Sequence, residues 1–230
     1  MKEQRLDFKF KYKNYNSMLK DLYDKKSILI GLCLGDGYIY QGKIIKKSGL
    51  RHCGILIKHG KNQRDYCVFK ASLLEKCINT PVIVSEFNNS GFIGYKFSKG
   101  HKYFRILRKW IYKDNIKTFS TKLLNKLTPA SIALWYMDDG GLSAKKRNGT
   151  IYTYEIFLNT GKEKEDNQII IDYFKNKWNI QCHQVKNNNV YRLRANIREG
   201  GKFLKLILPY IPECMKYKVT VLEKFNKYII

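Results

Sequence analysis

The sequence predicts an α+β protein in which a unit of about 100 residues occurs twice. Two observations carry this prediction. An apolar, helix-like segment that ends in an acidic residue and a glycine occurs at Ser27–Tyr40 (SILIGLCLGDGYIY) and again at Thr128–Lys146 (TPASIALWYMDDGGLSAKK). After each copy, alternating strand-like segments surround one further helical segment. The acidic residues before the first glycine, Asp36 and Asp139, are 103 residues apart.

The first unit is assigned to residues 21–120 and follows a basic N-terminal arm at residues 1–20. After its motif helix the pattern predicts strands near 50–58, a helix over Tyr66–Ile78, strands around Asn88 and Lys96, and a helix over Tyr103–Ile111.

The second unit, residues 121–230, repeats this order. Thr128 is suited to cap its motif helix and Pro129 to occupy the first turn. The pattern then predicts a strand over Ile151–Asn159, a helix over Asn167–Trp178, strands around Val185 and Arg192, and a helix over Phe203–Ile211. A lysine follows each final helix: Lys117 comes 81 residues after Asp36, and Lys218 comes 79 residues after Asp139.

The charge of the chain indicates a polyanionic partner. Its 230 residues include 44 Lys and Arg against 19 Asp and Glu, a formal net charge of +25, while 44% apolar residues exclude a disordered basic tail. The cations run through nearly every segment, which favours nucleic acid over an anionic membrane surface.

The longest apolar stretch, Ile28–Leu34, is far shorter than the roughly 20 residues of a membrane-spanning helix, so no membrane insertion is expected. The cysteines form no C-x-x-C pair, and neither a zinc site nor a disulfide framework is expected.

Several strand-like segments place cations on one face. In VYRLRANI (190–197), Arg192, Arg194 and Asn196 alternate with apolar residues. Lys58 and Lys96 alternate similarly with Ile and aromatic residues in their own segments. Such rows can enter a DNA groove, where Arg and Lys read guanine and Asn reads adenine, although an ordinary solvated sheet face has the same pattern.

The repeated acidic residue at the end of each motif helix indicates a metal site. An aspartate near a helix C-terminus is unfavourable because the helix dipole there is already negative. The alternative is a simple cap or turn residue. Small residues at Ser27, Gly31 and Gly35 allow two helices to approach closely, which would bring Asp36 and Asp139 together. Two carboxylates can hold Mg²⁺, and a divalent ion supplies the charge neutralisation that phosphodiester hydrolysis needs.

The two segments LIGLCLGDG (29–37) and IALWYMDDG (132–140) resemble the signature helices of LAGLIDADG homing endonucleases, in the single-chain form that carries both copies. This resemblance covers nearly the whole chain after the first 20 or so residues. It implies a pseudo-twofold pair of αββαββα units, with the motif helices at the interface and two saddle-shaped sheets that lie along DNA. It also implies cleavage of both strands across the minor groove to leave 3′ overhangs.

By the same resemblance, Asp36 and Asp139 are the catalytic, metal-binding acids, assisted by the backbone carbonyls of Gly35 and Asp138. Asp139 is preferred over Asp138 because it aligns with Asp36 immediately before the glycine. The paired catalytic lysines are Lys117 and Lys218, with Lys113, Lys122 or Lys216 as alternatives. The family's water-orienting position falls on Lys58 in the first unit and Asn159 in the second, and stays open.

The expected cofactor is Mg²⁺, with Mn²⁺ as a substitute and Ca²⁺ as an ion that binds without supporting cleavage. The expected partner is a double-stranded DNA target bound by a monomer. Candidate contacts are Tyr38, Tyr40, Lys43, Lys46, Arg51, Lys58 and Lys96 in the first unit and Lys145, Arg147, Lys186, Arg192, Arg194 and Asn196 in the second.

The principal alternative is an intron maturase of the same fold that binds RNA and assists splicing. A ribosomal or architectural nucleic-acid binder is a third hypothesis, which leaves the matched carboxylates without an explanation. The Lys-, Asn-, Ile- and Tyr-rich composition is typical of an AT-rich genome and favours an intracellular, organellar location such as mitochondria.

Overall fold

A computed structural model of the chain describes residues 18–19, 22–45, 49–221, 225 and 228. Lys46 and nearly all of the predicted N-terminal arm lie outside the described residues. The first unit contains helix α1 (Leu22–Leu34), strands β1 (Tyr38–Ile45) and β2 (Leu50–Gly60), helix α2 (Arg64–Ile78), strands β3 (Ser85–Asn89) and β4 (Phe92–Gly100), and helix α3 (Lys102–Ile111).

Two short strands, β5 (Tyr112–Lys113) and β6 (Ile116–Lys117), and helix α4 (Thr121–Leu124) lead into the second unit. That unit contains helix α5 (Pro129–Asp139), strands β7 (Gly140–Arg147) and β8 (Thr150–Lys162), helix α6 (Lys164–Trp178), strands β9 (His183–Asn187) and β10 (Val190–Asn196), and helix α7 (Ile197–Ile207). Two 3-10 helices follow, Leu208–Tyr210 and Glu213–Lys218.

Each unit forms one antiparallel, four-stranded sheet. The strand orders are β1-β2-β4-β3 and β7-β8-β10-β9, which are the same order in the two units. One face of each sheet is covered by helices and carries buried residues such as Ile55 and Ile57 on β2, and Ile156 and Leu158 on β8. No described helix covers the opposite face of either sheet, which is called the open face below. The predicted α+β fold with two αββαββα units is confirmed, and the boundaries of independent domains stay a prediction.

The motif helices α1 and α5 pack against each other through the small residues of α1. Ser27 Oγ donates to Ser131 Oγ over 2.8 Å, and the Thr128 N–H donates to Ser27 Oγ over 2.8 Å. A Cβ atom at Gly31 would lie 2.7 Å from the Ser131 carbonyl oxygen, and one at Gly35 would lie 2.1 Å from Asp138 Oδ2. Glycine at both positions therefore sets the close spacing of the two helices.

Helices α2 and α6 correspond between the units. Each contains 15 residues and ends at an asparagine in the left-handed conformation, Asn79 or Asn179, which terminates the helix. Aligning these ends places Lys70 of α2 at the position of Ile170 in α6. Both side chains are buried. In the described part of the chain, no helix is long and apolar enough to cross a bilayer.

Candidate active site

The C-terminal ends of α1 and α5 bring three carboxylates together beside the helix interface. The Asp36 N–H donates to Asp138 Oδ2 over 2.9 Å, and Asp139 follows directly in the chain. As predicted, an acidic residue and a glycine come at each helix end: Asp36 and Gly37 follow α1 after Gly35, and Asp139 is the last residue of α5, before Gly140. The structure thus brings the predicted acids Asp36 and Asp139 into one cluster, together with the carboxylate of Asp138.

Asp36 and Asp139 are the less stabilised carboxylates of this cluster. Burial, followed by the negative charges of Asp138 and Asp36, raises the pKa of Asp139 to about 7. The pKa of Asp36 is also raised, first by burial and then by Asp138, although 42% of its side chain is exposed. No described residue donates a hydrogen bond to the Asp139 carboxylate, so it lacks the partners that would normally stabilise its charge.

Lys117 and Lys218 lie at the ends of the two motif helices, where the sequence analysis expected them. Lys117 Nζ donates to the Gly35 carbonyl over 2.5 Å. Lys218 Nζ donates to the carbonyls of Met137, Asp138 and Gly140 over 2.6, 3.1 and 3.0 Å. Burial lowers the pKa of both lysines, and the cluster's acids oppose that effect. Two cations therefore offset the negative helix ends and the acid cluster.

Different elements deliver the two lysines. Lys117 lies on β6 of the short β5–β6 hairpin, and Lys218 lies at the end of the 3-10 helix Glu213–Lys218. Tyr136 of α5 helps to fix the second segment because its hydroxyl donates to the Lys218 carbonyl over 3.0 Å. The competing lysines, Lys113, Lys122 and Lys216, are exposed.

Asp138 forms a buried ion pair that the sequence analysis missed. Lys70 Nζ of α2 lies 2.6 Å from Asp138 Oδ1 and 2.7 Å from Oδ2, and both side chains are 0% exposed. The Tyr66 hydroxyl of the same helix donates to Asp138 Oδ1 over 2.8 Å. With the Asp36 N–H, these donors satisfy both oxygens of a carboxylate that would otherwise be costly to bury.

His59, at the end of β2, joins this network. Its Nδ1 lies 3.6 Å from Asp36 Oδ2 and 3.2 Å from Gln63 Oε1, and its Nε2 lies 3.2 Å from Lys70 Nζ. Burial, followed by the charge of Lys70, lowers the pKa of His59 to about 4. The histidine is therefore neutral near pH 7. Because an ammonium group only donates, Nε2 accepts from Lys70 and Nδ1 carries the hydrogen.

The donor set fits a hard divalent cation. Two incompletely stabilised carboxylates, Asp36 and Asp139, lie beside backbone carbonyls of Gly35 and Asp138, and oxygen donors of this kind suit Mg²⁺. One ligand atom each from Asp36, His59 and Asp138 also lies within 4.8 Å of the other two. The Asp138 carboxylate is already paired with Lys70, so Asp36 and Asp139 are the better charge donors to a metal.

The network contains residues that sequence reasoning did not identify: His59, Tyr66 and Lys70. A signal was present at Lys70, which occupies the apolar stripe of α2 between the buried Tyr66 and Leu74. Lys58, one of the open candidates for a water-orienting residue, lies on the opposite face of β2 from His59. Alternation on β2 therefore places His59, not Lys58, beside the acids.

The open face of the first sheet carries an aromatic ring between two cations. Lys58 and Lys96 are direct cross-strand partners, and their Nζ atoms lie 5.7 and 5.8 Å from the centroid of the Phe87 ring. Neither lysine forms an ion pair within the described residues. Like charges directly opposite one another destabilise a sheet, so this face is suited to an anionic partner. Tyr38 and Tyr40 extend from the same strand face of β1, opposite the buried Ile39.

The open face of the second sheet is partly neutralised. Arg192 lies 5.2 Å from the centroid of the Phe157 ring, as predicted for an outward residue. Arg194 also faces outward but forms an ion pair with Glu155, which Lys145 contacts over 3.0 Å. Lys43, Arg147 and Lys186 are exposed.

Two predicted contact residues do not lie on these open faces. Asn196 does not continue the row of Arg192 and Arg194, because its side chain caps α7 and accepts from the Arg198 and Glu199 N–H groups over 3.0 and 3.1 Å. Arg51 lies on the strand face of β2 that faces the helices, where it lines a groove with Arg108 and Tyr112. The two placements differ from the sheet face that alternation predicted, while contact of either residue with DNA stays a prediction.

Comparison with known proteins gives one consistent result. The sequence model of the LAGLIDADG DNA endonuclease family matches residues 26–203. Probable intron-encoded endonuclease 1 of Wickerhamomyces canadensis is 27% identical over 205 residues, covering 85% of this chain and 83% of that protein. Cytochrome b mRNA maturase bI2 of Saccharomyces cerevisiae is 28% identical over 209 residues, covering 84% of this chain, and the chain spans about half of that protein, 46%.

Solved structures give the same fold. The homing endonuclease I-WcaI bound to its DNA recognition sequence matches with a TM-score of 0.72 at 26% identity, covering 90% of this chain and 91% of that one. A variant of I-DmoI in complex with its target DNA in the presence of Mg matches with a TM-score of 0.51 at 18% identity, covering 82% and 98%. Further structures of I-DmoI contain DNA with Mn or with Ca.

Proposed function

The chain belongs to the LAGLIDADG DNA endonuclease family, and we propose that it is a monomeric, site-specific endonuclease that hydrolyses both strands of a long duplex DNA site with Mg²⁺. This membership confirms the family predicted from the two motifs. The observation that carries the proposal is the convergence of Asp36 and Asp139 at the paired helix ends, each beside its own lysine. The match to the DNA-bound I-WcaI structure supports DNA as the partner.

The residues have distinct roles in this proposal. Asp36 and Asp139, with the Gly35 and Asp138 carbonyls, would hold divalent metal, which activates water and neutralises charge on the phosphate. Lys117 and Lys218 lie where their ammonium groups can stabilise the negative charge that develops on the phosphate during hydrolysis. Their lowered pKa values reduce the cost of transferring a proton at this position.

The open sheet faces would hold the duplex. Lys58 and Lys96 in the first unit and Arg192 in the second offer cations on exposed strand faces, with Phe87 and Phe157 beneath them. Further proposed contacts are Tyr38, Tyr40, Lys43, Lys145, Arg147, Lys186 and Arg194. Cleavage across the minor groove to leave 3′ overhangs follows from family resemblance.

The identity of the metal ion and the cellular location of the protein are parts of the same proposal. The hard oxygen donors support Mg²⁺, and the I-DmoI structures with Mg, Mn and Ca support a site of this fold that accepts all three. We infer that Mn²⁺ replaces Mg²⁺ and that Ca²⁺ binds without supporting cleavage.

An organellar location is supported by the AT-rich residue usage and by the intron-encoded relative.

A cleavage selection tests the proposal and identifies the target sequence in the same experiment. A randomised or genomic duplex library is incubated with the protein in Mg²⁺ and, separately, in EDTA, and cut ends are sequenced. A single long motif cut with 3′ overhangs only in Mg²⁺ is expected. Enrichment of a motif by binding with no cut ends in Mg²⁺ or Mn²⁺ would contradict the endonuclease function.

A second function, assistance to intron RNA splicing, is favoured by the similarity to the cytochrome b mRNA maturase. Splicing of intron RNA is measured with the unmodified protein and with Asp139→Asn. Stimulation that survives Asp139→Asn would support a maturase activity separate from cleavage. Absence of RNA affinity at moderate salt would exclude it.

A further inference from the structure

The buried ion pair beside the acids joins Lys70 of the first unit to Asp138 of the second, and the equivalent positions, Ile170 and Gly35, do not repeat it. Lys70 corresponds to Ile170 in α6, and Asp138 corresponds to Gly35 in α1, because Asp36 and Asp139 align. The two differences match each other: where one unit contributes Lys70, the other contributes Asp138, and the equivalent pair of positions is Ile170 and Gly35. Gly35 also makes room for the Asp138 carboxylate, whose Oδ2 would lie 2.1 Å from a Cβ atom at that position.

The pair connects α2 of the first unit to the backbone of Asp36. Tyr66 and Lys70 hold both oxygens of Asp138, and Asp138 Oδ2 then accepts from the Asp36 N–H. The main chain at Asp36 is therefore anchored by a fully buried carboxylate. Because the anchor crosses from α5 to α1, it also fixes the two motif helices relative to each other.

A second connection reaches the Asp36 side chain. Lys70 donates to His59 Nε2 over 3.2 Å, which directs the Nδ1–H of the ring towards Gln63 and Asp36 Oδ2. The His59 ring thus lies beside the Asp36 carboxylate, with Nδ1 3.6 Å from Oδ2. Asp139 receives neither connection: no described residue donates a hydrogen bond to its carboxylate, and the matching position on α1 is Gly35.

We propose that Tyr66 and Lys70, which act through Asp138, and His59, which lies beside the Asp36 carboxylate, are positioning residues for Asp36. The two catalytic acids are thereby held unequally, and cleavage of one DNA strand depends on this network more than cleavage of the other. The inference rests on the proposed endonuclease function. It makes the Asp138 side chain part of the support for Asp36 rather than a third catalytic acid.

Tyr66→Phe is the mildest test, because it removes one hydroxyl and keeps the ring. Its matched control is Tyr173→Phe, a buried tyrosine on α6 whose hydroxyl accepts from Trp178 Nε1 over 3.0 Å, away from the acids. Both strands of a duplex target are end-labelled, and the two strand-cleavage rates are measured in a single turnover. Tyr66→Phe is expected to slow one strand about tenfold more than the other, the scale of a lost hydrogen bond to a charged group, and to accumulate nicked DNA.

Equal slowing of both strands, no slowing, or the same imbalance in Tyr173→Phe would overturn the inference. Failure of the unmodified protein to cut any duplex would instead contradict the proposed function. The two failures are therefore distinguishable.

A readout without metal separates positioning from catalysis. Hydrogen exchange of the amide at Asp36 is measured in EDTA, since this N–H donates to Asp138. Exchange at Asp36 is expected to accelerate about tenfold in Tyr66→Phe, with exchange at Asp139 unchanged and DNA affinity in EDTA preserved. Unchanged exchange at Asp36 would contradict the network.

The double variant Lys70→Ile/Asp138→Gly keeps the test falsifiable if stronger single variants fail to fold. It gives Lys70 and Asp138 the residues found at the equivalent positions, Ile170 and Gly35. The expected result is a shift in strand imbalance in the same direction as that of Tyr66→Phe, and larger. Strand rates in the unmodified ratio would overturn the inference.

Discussion

The two units of the molecule share a backbone but surround their catalytic acids differently. Both sheets have the same strand order, and each motif helix is followed or ended by an aspartate whose preceding carbonyl accepts from a lysine. Around Asp36, however, a buried network fixes the main chain, whereas Asp139 is left with a pKa raised to about 7 and no hydrogen-bond donor among the described residues. Duplication of the fold therefore preserves the position of the acids, while their stabilisation is set by side chains that differ between the units.

Among the variants that probe this difference between the units, Lys70→Ile alone is expected to change the free energy of unfolding most. It copies the residue of the second unit but leaves the Asp138 carboxylate buried without its cation, which costs about 3–5 kcal/mol of the free energy of unfolding. Adding Asp138→Gly removes the unpaired charge and should recover much of that loss. Chemical denaturation of the single and double variants measures both values. A single variant as stable as the unmodified protein would show that the ion pair is not needed for folding.

Variants of the two active-site lysines should show that each unit contributes mainly to the cleavage of one strand. Lys117→Met and Lys218→Met are each expected to slow cleavage about 100-fold, the scale for removing a donor that stabilises developing charge. Each is expected to slow one strand more than the other, and the two variants should affect opposite strands. Lys113→Met and Lys216→Met serve as controls, since both side chains are exposed and Lys216 pairs with Glu213. Loss of activity in a control and not in its partner would reassign the catalytic lysine.

Gly35→Ala tests the room that the first motif helix leaves for Asp138. A Cβ atom there would overlap the Asp138 carboxylate, so we expect a loss of about 1–3 kcal/mol in the free energy of unfolding. Gly60→Ala is the control, because its Cβ would meet only Phe92 at 3.5 Å. Thermal and chemical denaturation measure both variants. Equal stability of the two variants would contradict the close packing at Gly35.

The smallest expected change is in the salt dependence of DNA binding, when cations on the two open sheet faces are removed. Lys58→Met/Lys96→Met removes two cations that lack an ion-pair partner among the described residues, and should reduce the salt dependence of log Kd by about two. Lys145→Met/Arg194→Met removes cations that share Glu155, so its effect on the same slope should be smaller. Titration of DNA binding at several salt concentrations compares the pairs, and a larger change for the second pair would reverse the comparison.

Sequence patterns identified much of the fold and the centre of the site. The duplicated motif predicted both helices and the meeting of Asp36 with Asp139, because glycine spacing on α1 requires a close partner. The nearly equal sequence separations of Lys117 from Asp36 and of Lys218 from Asp139 predicted that both lysines lie near the acids. Alternation on β10 correctly predicted the outward Arg192 and Arg194.

The remaining features depend on contacts between distant segments. Lys70 and Asp138 are 68 residues apart, and each alone reads as an ordinary helix residue, so their pairing is visible only after α2 packs beside α5. Asn196 fits the strand alternation, but the strand ends there and its side chain serves the next helix. By alternation along β2, Arg51 belongs to the same face as the buried residues Ile55 and Ile57. Its charge and exposure suggested the opposite face.

Asp36 and Asp139 are proposed to support cleavage of both strands together. Once selection has yielded the target, Asp36→Asn, Asp139→Asn and the exposed control Asp172→Asn are compared in a single turnover in Mg²⁺, with DNA affinity measured in EDTA. Each motif variant is expected to lose double-strand cleavage by about 1,000-fold or more while binding DNA as well as the control does. Unimpaired double-strand cleavage by Asp139→Asn or by Asp36→Asn would contradict the claim.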